Sequence, residues 1–348
     1  MKTGKTITEL AQEIERQAAA KRDLVADTRA LTITPGLKMH VQAHEFSISP
    51  LAHRQIGEHV GIPKAYYDRM METQPELLAQ NVNTWFTANG KRRLVRLLDN
   101  HMRSFLSDRY QRIDNLEVAQ TVLPILMSTP GLEVVSSDIT ESRLYIKAIN
   151  RKSTLEVKSR RVGDFVQSGV MISNSEVGLG ALTVKPFFEY LICTNGMVRD
   201  KDSMRRAHLG RQIEGDNVSQ FLTDETRKAE DHAVLLKVRD VMAAAMDPDA
   251  FRAALDAMQA ITEDKIEGNP VAAVEELRST FALSDAEGNS ILRHLIEGAD
   301  LTRYGLMNAM TRASQDVDSY DRATEMETFG GGILDMPTKD WNRIAVAA

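Results

Sequence analysis

Between Lys91 and Arg211 the 348-residue chain gathers its basic side chains in four runs. "KRRLVR" supplies Lys91, Arg92, Arg93 and Arg96, and "HMRSFLSDRYQR" adds Arg103, Arg109, Tyr110 and Arg112. "KAINRKSTLEVKSRR" carries Lys147, Arg151, Lys152, Lys158, Arg160 and Arg161. "RDKDSMRRAHLGR" carries Arg199, Lys201, Arg205, Arg206 and Arg211. Of these 18 cations 13 are arginine, whose planar fork can give two hydrogen bonds to one phosphate. Trp85, Phe86, Phe105, Tyr110 and Tyr145 lie close by in sequence and are of the type on which bases stack, worth about 1–3 kcal/mol per base. Phe105 and Tyr145 fall in apolar runs and read as core.

Other chemistries find less support. The single cysteine, Cys193, sits in "EYLICTNG", an apolar strand-like run ending in a turn, with His208 the nearest histidine. A reactive thiol needs a neighbouring cation or helix start, so Cys193 reads as a small buried hydrophobe. His40 and His44, four apart in an expected strand, would share one face, but two ligands need a third and no His-Glu-x-x-His pattern occurs. His53 and His59 are six apart on an expected helix, a poor spacing for one metal. "GLG" at 178–180 lacks the third glycine of a dinucleotide fingerprint, and "FGGGIL" at 329–334 reads as a bare glycine loop. Neither a Gly-x-x-x-x-Gly-Lys-Ser/Thr loop nor a Gly-x-Ser-x-Gly elbow is present. Paired acids such as Glu263-Asp264 and Glu275-Glu276 read as solvated helix faces. No enzyme signature, metal site or cofactor is expected.

Charge is unevenly spread. Residues 1–90 are net neutral, 91–212 carry +7 and 213–348 carry −13, within a total of −6. A basic middle beside an acidic end suggests a polyanion partner for the middle. With 43% hydrophobic and 26% charged residues the chain has a globular composition. No apolar run approaches the roughly 20 residues needed to cross a bilayer, and the start, "MKTGKTITELAQEIERQ", does not resemble a secretion signal. A cytoplasmic protein with no membrane contact is expected.

The elements that must position the cations follow from periodicity. Thr6 to Asp27 reads as a thinly amphipathic helix, and "ALTITPGLKMHVQAHEFSISP" as a hairpin about Pro35-Gly36. Helices follow, with Ser49 as a cap and Gly61 to Pro63 as a break. Two strand runs separated by Asp99-Asn100 lead to an amphipathic helix, "LEVAQTVLPILMST", and then to hairpins turning at Asp138–Glu141 and Ser173–Gly180. From about Asp216 the pattern is helical. The division expected is an N-terminal helix (1–30), a central basic domain (31–215) and an acidic helical region (216–348). The class is α+β, with a central antiparallel sheet and flanking helices.

"FLSDRYQRIDN", "SNSEVGLGALTVKPFFEYLICTNGMV" and "RRAHLGR", with "SISPLAHRQIGEHVGIPKAYYDRM" before them, carry a resemblance. Over about residues 40–240 the chain resembles the plasmid- and phage-borne bacterial proteins grouped as domain of unknown function 932. The family's setting, and a β-β-β-α pattern similar to that of single-strand annealing proteins, imply DNA recombination or repair; the pattern is an analogy of fold only. Together with the basic runs, this makes single-stranded DNA the expected partner, with RNA as a variant. The expected role is a strand-annealing or recombination accessory protein of a mobile element, acting as a homo-oligomer with a host or phage recombination protein. The expected phosphate-binding set is Arg92, Arg93, Arg96, Arg103, Arg109, Tyr110, Arg112, Lys152, Lys158, Arg160, Arg161, Arg199, Lys201, Arg205, Arg206 and Arg211. The alternatives are a protein-interaction or counter-defence module, and an enzyme using Cys193.

Overall fold

In a computed structural model of the chain, all residues are described except Gln111, 160–162, Cys193, Asp202 and 207–223, and only the backbone of 204–206 and of several residues in 224–235. The expected α+β architecture is observed, and it is built on two sheets. Among the described residues no helix is long and apolar enough to cross a membrane.

Helix α1 (Ile7–Ala20) starts at a reciprocal cap, Thr6 with Glu9, and buries Leu10 and Ile14. It ends seven residues before the expected boundary. Lys21–Asp27 is instead strand β1, paired antiparallel with Arg92–Leu98. The thin apolar stripe fits either element, and edge pairing to a distant strand decides between them.

β2 (Leu31–Ile33), β3 (Lys38–Val41) and β4 (His44–Ile48) form a meander. Helices α2 (Pro50–Val60), α3 (Lys64–Thr73) and α4 (Pro75–Ala88) follow, then the hairpin β5 (Arg92–Leu98) and β6 (His101–Ser107). The first sheet has the order β1-β5-β6-β4-β3-β2 and is antiparallel except where β4 meets β6. α2 to α4 cover one face, with Ile56, Tyr67, Leu78, Val82 and Phe86 packed on Ile33, Met39, Val95, Met102 and Phe105. Because a turn with Gln42 at φ 55 separates β3 from β4, His40 and His44 lie on different strands, and the expected shared face does not exist.

α5 (Asn115–Ser128) leads into the second sheet, β7 (Leu132–Ile139), β8 (Leu144–Glu156), β9 (Phe165–Asn174) and β10 (Leu182–Tyr190). β11 (Asn195–Val198) and β12 (Met204–Arg206) share the outer edge of β10, so this sheet has the order β7-β8-β9-β10 with both short strands beyond. Seven further helices follow among the described residues. They are α6 (Asp224–Ala245), α7 (Pro248–Ala260), α8 (Pro270–Phe281), α9 (Asp285–Gly298), α10 (Arg303–Ala313), α11 (Tyr320–Leu334) and α12 (Thr338–Ala345).

Residues Leu144, Ile146, Ala148, Val170, Ile172, Leu182 and Val184 repeat with period two and pack against α1, α5 and α6. Further along, Val166, Phe188 and Tyr190 enter the core of the C-terminal helices, with Phe188 stacked on Phe251 of α7. α1 and the acidic helices thus share cores with the second sheet, and the expected divisions at residues 30 and 215 cut through these cores. On the opposite face the fully buried Lys147 is held by Glu327 at 2.5 Å and Thr324 at 3.0 Å, both from α11.

The glycine run expected as a loop, 329–334, is the last turn and a half of α11. Its glycines let the helix lie directly on β11: a Cβ on Gly331 would fall 2.1 Å from the Val198 carbonyl oxygen, and one on Gly330 would fall 2.3 Å from Thr311 Cγ2. An alanine in an open helix improves stability over glycine by about 1 kcal/mol. Gly331→Ala is expected to do the reverse, lowering stability by about 1–3 kcal/mol through overpacking. Urea unfolding reads this directly, and an unchanged or raised midpoint would overturn the close-packing account.

Candidate nucleic-acid interface

The two sheets meet where the β9–β10 turn plugs onto the face of the first sheet that α2 to α4 leave uncovered. The turn residues Asn174, Ser175, Glu176 and Val177 are buried. Gln55 of α2 donates to the Val177 carbonyl at 2.9 Å, and a Cβ on Gly178 would strike Leu106. The Asn174 side chain donates to the Ile113 carbonyl and to Asn115 Oδ1, both at 2.9 Å, and Tyr110 donates its hydroxyl to the Ser175 carbonyl at 2.8 Å.

An ion network fills the junction. Arg96, 3% exposed, donates to Asp23 at 3.0 Å, to Asp114 at 2.7 Å and to the Glu176 carbonyl at 2.9 Å. The Glu176 carboxylate meets Arg103 at 3.2 Å and Lys21 at 3.5 Å, and accepts from the Asn115 backbone at 2.8 Å. Lys21 also bridges to Asp114 at 2.5 Å, and Arg112 reaches Asp23 at 3.5 Å. Burial alone would raise the Asp114 carboxyl, but the Arg96 charge and bonds from Arg96 and Lys21 outweigh it and hold the group below its ordinary value. Burial likewise disfavours the charged Arg96, and its two carboxylate partners more than compensate, raising its pKa.

These contacts correct part of the expected phosphate-binding set. Arg96 and Arg103 are enclosed by carboxylates of the junction, and Arg199, 6% exposed, is clamped by Asp335 at 2.6 Å. Arg96 and Arg103 cannot turn to a phosphate without abandoning carboxylates of the junction, a loss of several kcal/mol, whereas the buried Arg199 is held by an exposed carboxylate. Tyr110 is committed to the turn. Arg93 is half-buried, donates to His59 Nδ1 and lies 5.6 Å from the Phe105 ring centre. His59 accepts as a neutral ring because burial, then the Arg93 and Lys91 charges, hold its pKa down to about 4.

The remaining residues divide by position. Arg92, Arg109 and Arg112 are exposed around the end of the first sheet that meets the turn. Strand β12 brings the backbone of Arg205 and Arg206 opposite Thr183 and Leu182, just beyond the same turn. Lys152 and Lys158 are exposed toward the other end of β8, whose 13 residues span roughly 40 Å at ~3.3 Å each. Lys201 is exposed after β11. Arg160, Arg161 and Arg211, like Cys193, lie outside the described residues. Among the described residues the set therefore does not converge on one groove.

Of the expected stacking residues, Phe86, Phe105 and Tyr145 are buried, as the apolar setting of the last two implied. Trp85 is 45% exposed near the end of α4. Its carbonyl accepts from Asn89 at 3.0 Å, two residues before Lys91, and Arg29 packs on Gly90. The backbone of Trp85, Lys91, Arg92 and Arg109 thus lies toward one end of the first sheet, while the indole turns back along α4 and donates to Asn81 at 3.0 Å. No ion pair to Lys91, Arg92 or Arg109 occurs among the described residues, although Asp27 lies opposite Arg92 in the β1–β5 pairing and Asp108 precedes Arg109. Among the described residues no group of histidine, cysteine and carboxylate ligands could hold a metal.

Replacing Arg96 by Met strands Asp23 and Asp114 in the junction and is expected to lower stability by about 3–5 kcal/mol at pH 7. Arg96→Lys, which keeps the charge without the fork, should fall between. In the Met variant the Asp114 carboxyl loses the Arg96 charge and hydrogen bond that hold it down, so its folded pKa rises. The deficit against the parent chain therefore shrinks as pH falls toward about 4, where aspartates protonate. Denaturant unfolding across pH measures this, and a deficit independent of pH would refute the network as described.

No curated protein matches the chain, and no solved structure does. The model of the family described as Domain of unknown function (DUF932) matches residues 103–328, starting inside β6 and extending through the C-terminal helices to α11. This match runs past the expected limit near residue 240 and spans well over half of the chain, and the chain belongs to that family of domains of unknown function.

Proposed function

We propose that the chain binds single-stranded nucleic acid, DNA in the first instance, at the end of the first sheet marked by Trp85, Lys91, Arg92 and Arg109. The observations that support this reading are the half-exposed Trp85 indole near the end of α4 and, at the strand ends that follow it, three cations that make no ion pair among the described residues. An aromatic face for bases next to unpaired positive charge for the backbone is the pairing that sequence-tolerant single-strand binding requires. Arg112, exposed although it reaches Asp23 at 3.5 Å, adds positive charge toward the sheet junction. Strand annealing or a recombination accessory role for a mobile element, carried out by a homo-oligomer, is the wider reading built on such binding.

Four phosphate contacts would give a slope of about −3 in log K against log salt on a single strand. The chain has two tryptophans, and Trp341 is buried at 4% exposure, so quenching on contact with bases reports on Trp85. Titrating oligo-dT into the full chain at about 50 mM salt, where phosphate contacts are strongest, should quench the emission. Trp85→Phe should abolish the quenching, and Arg92→Ala with Arg109→Ala should flatten the salt slope by about 1–2. An oligo-U competitor of equal length separates RNA from DNA. Neither quenching nor retention of labelled oligonucleotide at low salt would dismiss the reading.

A further inference from the structure

The sequence contains two Asn-Gly pairs, Asn89-Gly90 and Asn195-Gly196, and the fold places them in opposite circumstances. In such a pair the glycine nitrogen can attack the side-chain carbonyl carbon of the asparagine, because the second residue has no Cβ to hinder the approach. The N–Cγ bond forms, the side-chain amide leaves as ammonia, and water opens the cyclic imide to an aspartate or an isoaspartate. A neutral residue becomes an anion with no oxidant or reductant involved. The step needs an accessible side-chain amide, a glycine N–H that is not engaged elsewhere and a backbone free to turn about the asparagine ψ.

Asn195-Gly196 fails on the first and third counts. Asn195 is fully buried, and its side-chain nitrogen donates to the Thr311 hydroxyl. Both residues lie in β11, registered against Tyr190 and Glu189 of β10. Turning this backbone means taking the strand out of the sheet.

Asn89-Gly90 is the link between α4 and β5, and both residues are exposed. The Asn89 N–H closes the last helical turn on the Trp85 carbonyl at 3.0 Å, and its ψ is 56°. On the other side Lys91 is anchored: its N–H donates to the Thr28 hydroxyl at 3.1 Å, and its carbonyl accepts from the Thr28 N–H at 3.0 Å. Between these anchors the Asn89 side chain and the Gly90 N–H make no hydrogen bond. A helix end frays more readily than its middle, and rotation about ψ then brings the Gly90 nitrogen to Cγ. Arg29, an exposed cation paired with Asp27, packs on Gly90, and a positive charge there favours the anionic nitrogen that attacks.

We propose that Asn89-Gly90 is a site of spontaneous deamidation, which places a carboxylate or its isoaspartyl equivalent next to Lys91 and Arg92. The effect on nucleic acid rests on the reading above: the new anion competes with phosphate for these two cations. It also stands at the C-terminal end of α4, where the helix dipole disfavours negative charge.

Ageing the full chain under mildly alkaline conditions, followed by peptide mapping with mass spectrometry, tests the site. The amide-to-acid mass gain is expected at Asn89 and not at Asn195 in the folded chain, and at both in urea. Gly90→Ala should slow the conversion sharply. An intact Asn89 in the aged folded chain, or an Asn195 that keeps pace with it there, would overturn the assignment. Asn89→Asp, the permanent mimic, is expected to weaken oligo-dT binding about threefold at about 50 mM salt, the scale of one exposed charge contact. Equal affinity would remove the regulatory effect. If the parent chain binds no oligonucleotide, the nucleic-acid reading falls while the mapping still decides the modification.

Discussion

The structure depends on the contact between Arg96 and the β9–β10 turn. One guanidinium in the middle of β5 meets two carboxylates and a carbonyl, and the turn that supplies the carbonyl also supplies the acid for Arg103 and Lys21. Three cations and three anions close on one another in a space with little water. Such a network contributes little net stability compared with apolar packing, but it is intolerant of partial loss. Its role is specification. An apolar patch would let the two sheets slide, whereas a fork with fixed acceptors admits one relative position.

The same network explains why charge counted along the chain overstates the surface field. The middle third is net positive in sequence, yet Arg96 and Arg103 are neutralised by Asp23, Asp114 and Glu176, and Arg199 and Lys147 by acids of the C-terminal third. Part of the acidic character of the C-terminal helices is therefore internal counter-charge. What remains outside is a smaller, divided positive surface with one available indole.

Much of the architecture was legible. The β5–β6 hairpin, the amphipathic α5, the turns expected at 138–141 and 173–180 (each observed to start about two residues later, after Ile139 and Asn174), the Ser49 cap and the helical last third follow from periodicity and turn residues. Two elements were not. Lys21–Asp27 carries no strong strand pattern and becomes a strand because β5 offers an edge, while Gly330–Gly331 marks a close helix–strand approach that local sequence cannot distinguish from a loop. The site was less legible than the fold. Tyr110 of "SDRY" and the "SNSEVGLG" turn build the junction, while two arginines of the expected phosphate-binding set, Arg96 and Arg103, meet its carboxylates, because arginine serves a carboxylate as readily as a phosphate. Trp85 was nameable from type alone, but its exposure depends on which face α4 turns to the sheet.

The first 27 residues serve both halves of the molecule: β1 completes the first sheet, while α1 packs its apolar side on α5 and the second sheet. During synthesis α1 leaves the ribosome about a hundred residues ahead of those partners, a wait of roughly 5–20 s at ordinary elongation rates. Leu10 and Ile14 remain uncovered for that interval, and closure across so long a stretch of chain is slow. The N-terminal helix is thus the segment most open to capture by a chaperone, and the last to know its place.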